Sequence, residues 1–261
     1  MKRLFALLLC CLLLTACGKQ PEAPAQTDAP TVTAAPTEAP TAAPTQAPTE
    51  APTEAPTEEP VALYETSYAN AVCYRDAQGG IWAQTVIAVK NLSDEPLFLD
   101  ISSAELQDAA GYPVATLYSV SAYPHVISTG ETGYYYEATR LDLGEAEELT
   151  LLPDLNIRKA TEDEIRLAAP LTVEDTSLTD SVYGGLTLTG CVKDCDSLIG
   201  IAAVLFDENG TPLDLLYAVD NLSGDTEFEL NSFMPSEELT SDRVADYRVF
   251  AYRYLYISVC H

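Results

Sequence analysis

Histidine is almost missing from this chain. His125 and His261 are the only two in 261 residues, so a histidine-dependent triad or an imidazole-built zinc site has little to draw on. His125 follows Pro124 beside Val126 and Ile127 and reads as a solvated loop residue rather than a general base. The sequence has no Gly-x-Ser-x-Gly elbow, no His-Glu-x-x-His, no Walker loop and no dinucleotide-binding glycine pattern. Basic residues are scarce too, 13 against 40 acidic, for a formal net charge of -27. From Val61 onward there are 33 acidic and 10 basic residues, so the imbalance belongs to the folding part of the chain. Nucleic acid and anionic lipid headgroups are therefore poor partners. Helix-period patterns are also rare. Tryptophan occurs once, at Trp82, leaving fifteen tyrosines as the main aromatic.

The N-terminal stretch carries an address. Lys2 and Arg3 precede an apolar run from Leu4 to Leu14, which ends at Leu14-Thr15-Ala16-Cys17. The run is too short to remain as a spanning helix and has the layout of a secretory signal. The small residues before Cys17 resemble the lipobox of bacterial lipoproteins. That resemblance implies acylation of the Cys17 thiol and a membrane anchor of two or three chains, each buried methylene contributing about 0.8 kcal/mol. Residues 1–17 are thus expected to be a lipoprotein signal peptide, and the protein is expected on the extracytoplasmic face of the cell membrane.

Residues 18–60 are nearly all Ala, Pro, Thr, Glu and Gln, with proline at every fourth position from Pro36 to Pro60. So little apolar bulk cannot offset the entropy of ordering, and the segment is expected to be a disordered stalk. In a polyproline II conformation it would reach roughly 130 Å.

Beyond it, four landmarks occur twice in the same order. The first copy has Val89-Lys90-Asn91, Asp108 to Gly111 with Pro113, Leu117-Tyr118, and Thr129-Gly130-Glu131-Thr132. The second has Val192-Lys193-Asp194, Asp207 to Gly210 with Pro212, Leu216-Tyr217, and Ser223-Gly224-Asp225-Thr226. This internal repeat predicts two domains of one fold, 61–165 and 166–261. The segments Ile81–Val89 and Gly185–Val192 alternate like half-buried strands, while Ile199–Phe206 is continuously apolar, as in the middle of a sandwich. Asn209-Gly210 and Gly111 suit hairpin corners. The run from Val244 to Val259 reads as a closing strand. Thr161 and Glu164 form a capping-box pattern for one short turn through Leu167, stopped by Pro170. The fold class expected is all-β: two tandem β-sandwich domains after a signal peptide and a disordered Pro/Thr-rich linker.

The second copy, through Gly190-Cys191-Val192-Lys193, Ala203-Val204-Leu205-Phe206-Asp207 and Gly224-Asp225-Thr226-Glu227-Phe228, resembles the FxLYD domains of bacterial surface proteins. Ala203 stands in place of that family's first aromatic, and the first copy, with Glu105-Leu106-Gln107-Asp108, departs further. The resemblance implies an immunoglobulin-like sandwich and brings no catalytic residue.

Several residues invite chemistry without specifying it. Asp207, Asn209 and Asp214, or Asp194 with Asp196, offer oxygen ligands for calcium but lack an EF-hand frame. Cys73, Cys191, Cys195 and Cys260 allow three pairings. A Cys191–Cys195 disulfide needs a turn at Val192-Lys193-Asp194, reduced buried thiols are the competing state, and zinc has no histidine beside the pair. Tyr134, Tyr135 and Tyr136 would alternate between faces of a strand, either as an exposed strip for sugars or as core and sheet flank. No cofactor and no catalytic residue is indicated. The function expected is non-catalytic: a lipid-anchored surface protein whose sandwiches bind an envelope or extracellular protein or glycan, with no nucleic acid partner. The alternative is an extracellular, glycan-active hydrolase using paired carboxylates.

Overall fold

The computed structural model describes residues 62–254, apart from 77, 183, 197, 222–223 and 233–238. The leader with Cys17, the stalk, Ser223 and Cys260 lie outside the described residues, which all belong to one compact unit, Glu58–His261. Strands dominate: β1 (Tyr64–Arg75), β2 (Ile81–Asn91), β3 (Leu97–Leu99), β4 (Ser102–Gln107), β5 (Pro113–Tyr123), β6 (Val126–Ile127), β7 (Thr132–Leu141), β8 (Thr150–Asp154) and β9 (Ile157–Lys159) precede the short helix α1 (Glu162–Leu167). After it come β10 (Val173–Asp180), β11 (Leu186–Cys195), β12 (Leu198–Phe206), β13 (Pro212–Asn221), β14 (Gly224–Asn231) and β15 (Asp246–Arg253). The protein has an all-β sandwich fold, and every strand pair is antiparallel.

The repeat is visible in the strand order. In the first half β1-β2-β7 continues into β5-β4-β8, because β5 pairs with β7 through Ser121–Tyr123 and with β4 through its earlier residues. In the second half the corresponding sheets are β10-β11-β14 and β13-β12-β15. The Asp corners build the same hairpin twice. The Asp108 carboxylate accepts from the amides of Ala110 and Tyr112, both at 2.9 Å, and Asp207 accepts from Asn209 and Thr211 at 2.9 and 2.8 Å. Gly111 and Gly210 take the left-handed position, at φ 82° and 77°. Asp76 makes a third such corner between β1 and β2, bonding Gln78 and Gly80 and also accepting from the Trp82 indole at 2.9 Å.

Each half encloses its own core. Ile81, Ile87, Val89, Leu106 and Tyr135 fill the first, and Leu188, Ile199, Ile201, Leu205 and Phe228 the second. A third cluster joins them. Val86, Ala88, Tyr134 and Tyr136 of the first half pack with Ala202, Val204, Phe206 and Tyr252 of the second. The outer face of β1-β2-β7 thus lies against the outer face of β13-β12-β15. This contact explains two departures from the sequence reading. β2 is not half-buried: Thr85 to Val89 are buried on both faces. The continuous apolar run of β12 reflects a strand covered by its own core on one side and by the other half on the second.

The residues between the halves form the expected short helix. Thr161 caps it, its hydroxyl accepting from the Glu164 amide at 3.3 Å while the Glu164 carboxylate accepts from the Thr161 amide at 2.8 Å. Arg158 grips the same carboxylate at 2.5 and 2.9 Å and lies 4.4 Å over the Phe98 ring. That grip holds Glu164 down to about 2. Pro170 leaves the helix for an isolated bridge to Tyr252 on β15.

Candidate aromatic and carboxylate site at the seam

The contact between the halves is where polar chemistry concentrates. Strand alternation puts Tyr135 into the first core and Tyr134 and Tyr136 into the seam. All three are buried, so the exposed sugar-stacking strip considered from sequence is not what they form. Tyr123 on β5 joins them, its ring centroid 5.1 Å from that of Tyr217 on β13, and Tyr136 lies 6.1 Å from Tyr217.

His125 belongs to this aromatic cluster, which corrects its reading as a solvated loop residue. It is 4% exposed. Its ring stacks with Phe98 and Tyr123, at 6.1 and 6.4 Å, and meets Tyr252 and Tyr254 edge-on, at 5.8 and 6.1 Å. The chain folds back here because β6 pairs with β3 and carries the preceding residue inward. Burial pushes the imidazole below its ordinary range, so the ring is neutral at pH 7. Among the described residues its Nδ1 has no hydrogen-bond partner, and neither has the buried hydroxyl of Tyr252. The Tyr252 ring fits because Gly200 opposite it has no side chain: a Cβ there would sit 2.9 Å from the ring.

Asp214 is the second buried polar group of the seam. It is 2% exposed and accepts from the side-chain amide of Gln84 on β2 and from the Leu215 amide at 2.7 Å. The Ser232 hydroxyl also bonds it, while accepting from the Leu186 amide at 3.0 Å. One carboxyl therefore ties the first half to both sheets of the second. Desolvation outweighs these donors and lifts its pKa to about 6. The hydroxyls of Tyr74 and Tyr136 are pushed up by the same burial, with the Asp214 charge adding to it, and among the described residues Tyr74 has no partner for its oxygen.

Glu137 completes the site. It stands on β7 just past the point where β5 leaves, since β5–β7 pairing runs only over Ser121–Tyr123 opposite Tyr134–Tyr136. The diverging strands open a notch of about 120 Å³ lined by Ser121, Tyr123, Tyr136, Glu137 and Tyr217. On the other side of Ser121 and Tyr123 lies a larger cavity of about 370 Å³, bounded by His125, Leu198, Val219 and Tyr254. The Glu137 carboxyl is half-buried and carries no ion pair or side-chain hydrogen bond among the described residues, so burial alone raises its pKa. Its charge in turn raises the hydroxyls of Tyr123 and Tyr217.

Of the residues singled out from sequence, Asp214, His125, Tyr134 and Tyr136 meet at the seam, and the remaining acids and the cysteines do not. Asp207 and Asn209 serve their hairpin corner, whereas Asp214 lies in the seam, so these three make no common cation cage. Asp194 takes φ 53° at a bulge and Asp196 pairs with Arg253 at 3.1 and 3.2 Å. Among the described residues no group of three or more His, Cys, Asp or Glu is placed to hold a metal ion.

Cys73, Cys191 and Cys195 are free thiols. The bulge between Val192 and Cys195 supplies the turn foreseen for a bridge, yet Cys195 faces the second core while Cys191 does not. Cys191 lies opposite Glu227 and Cys195 opposite Gly224. Both thiols nevertheless lie against the Val192 carbonyl oxygen, Cys191 Sγ at 3.8 Å and Cys195 Sγ at 3.7 Å, without being joined.

What sequence reasoning missed is Glu137 and Gln84. The available signal was a glutamate directly after three tyrosines in a strand otherwise poor in charge. No family model, curated protein or solved structure matches this chain.

Proposed function

We propose that this chain is a non-catalytic, lipid-anchored protein of a bacterial cell surface. On this reading Cys17 carries the lipid, residues 18–60 are the stalk, and the paired immunoglobulin-like sandwiches, of the FxLYD kind, bind a protein or glycan ligand at the envelope. The observation that carries the reading is the seam. Two sandwiches locked through a buried aromatic layer make a rigid body with an aromatic notch, and preformed concave sites of this kind are what binding modules use.

The hydrolase alternative needs two carboxyl groups facing each other across an open cleft, one of them with a raised pKa. Asp214 and Glu137 have raised values, but Asp214 is sealed from any substrate and the notch at Glu137 is lined by no second carboxyl group among the described residues. The carboxylates of Asp76, Asp108 and Asp207 are committed to hairpin corners, and Glu164 to its cap and Arg158. These commitments favour binding over turnover.

Two experiments test the proposal. Cys17→Ser should release the protein from membranes, and unchanged membrane association would refute the anchor. The purified folded region should retain envelope material and show no turnover on a glycan panel. Hydrolysis abolished by a single Asp or Glu substitution would overturn the non-catalytic reading.

A further inference from the structure

Glu137 is out of keeping with the way this protein handles its other low-solvation charges. Glu164 has Arg158, Asp214 has three hydrogen-bond donors, and the corner aspartates have backbone amides. The Glu137 carboxyl is half-buried with no ion pair or side-chain hydrogen bond among the described residues. A carboxylate taken partly out of water without a partner is costly unless a cation arrives.

Its surroundings suit one kind of cation. Tyr123, Tyr136 and Tyr217 line the notch, and aromatic rings attract ammonium groups. Their phenols are neutral at pH 7, so they offer oxygen acceptors without adding charge. The Ser121 hydroxyl lines the same opening. A hard metal ion would ask for more oxygen ligands than one carboxylate and a few hydroxyls provide. A primary ammonium, with three N–H donors on a narrow apolar stem, matches a carboxylate, hydroxyl oxygens and aromatic walls in a notch of about 120 Å³. The protein elsewhere lays guanidinium groups over aromatic rings, Arg158 over Phe98 and Arg248 over Phe206. The net charge of -27 raises the local concentration of any cation.

We propose that the notch at Glu137 binds a primary ammonium group, with the Glu137 carboxylate as counter-ion and the rings of Tyr123, Tyr136 and Tyr217 as its walls. The inference rests on the binding-module reading above and names the chemistry of the ligand. A free alkylamine and the side chain of a lysine on a partner both present this group.

The test is a titration of the folded region followed by NMR, with three probes: n-butylamine, a short lysine peptide whose N-terminus is capped by acetylation, and the same capped peptide acetylated also on the lysine Nε. The first two should shift resonances of Ser121, Glu137 and Tyr217, and acetylation, which removes the charge and keeps the stem, should abolish the shifts. Preference for the peptide over butylamine by about tenfold or more would assign the site to a partner's lysine; equal binding would assign it to free amines. Glu137→Gln should weaken binding at least about fivefold, and Tyr217→Leu, at a 40% exposed position, should weaken it without unfolding the chain. Binding of the acetylated peptide as strong as the unmodified one would overturn the proposal, as would unaltered affinity in Glu137→Gln. Envelope capture by Glu137→Gln at wild-type levels would overturn this site while leaving the broader binding role standing.

Discussion

Asp214 sets a pH dependence that can be worked out and measured. Its carboxyl titrates near 6 when folded, against an ordinary value of 3.8, because burial at the seam penalises the anion more than its donors repay. The folded state therefore holds the proton more tightly than the unfolded chain. The resulting stabilisation is complete below about pH 4, declines as pH rises towards 6, and is gone above it. A difference of about two pH units corresponds to about 3 kcal/mol. Other groups contribute too: Glu137 acts in the same direction, His125, whose value burial lowers, destabilises the fold as pH falls below its ordinary 6.5, and Asp76, Asp207, Asp225 and Glu164, whose values are lowered, lose their stabilisation below the ordinary carboxylate range. The Asp214→Asn variant isolates the effect, since only the Asp214 proton differs. Urea denaturation of both proteins from pH 3.5 to 7.5 should show the variant gaining on the wild type by about 3 kcal/mol across the range, whatever constant offset the lost hydrogen bond introduces. A difference that stays constant with pH within about 0.5 kcal/mol would mean that Asp214 is solvated and the seam open there.

Further substitutions probe the packing. Ala202→Asp places an uncompensated carboxylate in the seam from β12 and should cost about 4 kcal/mol or more, read as a fall in the urea midpoint. Gly190→Ala sets a Cβ 2.6 Å from the Phe228 ring and should cost about 1–3 kcal/mol by the same assay, whereas an unchanged midpoint would show that the ring sits elsewhere. Tyr74→Phe removes a buried hydroxyl that bonds nothing and should leave stability level or raise it by about 1 kcal/mol; a marked loss would reveal an unseen partner. Asp76→Ala removes the carboxylate that accepts from the indole N–H of the only tryptophan and should change the Trp82 emission, read by fluorescence.

Local signals in the sequence were strong where a structure depends on neighbours along the chain. The corners at Asp108 and Asp207, the left-handed glycines and the Thr161–Glu164 cap need only residues a few positions apart, and they form as their residue types require. Strand type was equally legible from alternation. What was not legible depends on the second half covering the first. Gln84, Val86 and Ala88 look like the outward face of a half-buried strand until β12 and β13 arrive. Asp214 looks like one more loop-side acid, and His125 like a solvated one, for the same reason. Glu137 gains its character from a gap between strands, and a gap leaves no periodic trace.

Hydrogen exchange on the folded region tests the stacked arrangement most directly. β2 and β12 are covered on both faces, so their amides should exchange slowest, and Ala202→Asp in β12 should speed exchange in β2 of the other half. Protection in β2 that is indifferent to that substitution would contradict the account and make the two halves independent.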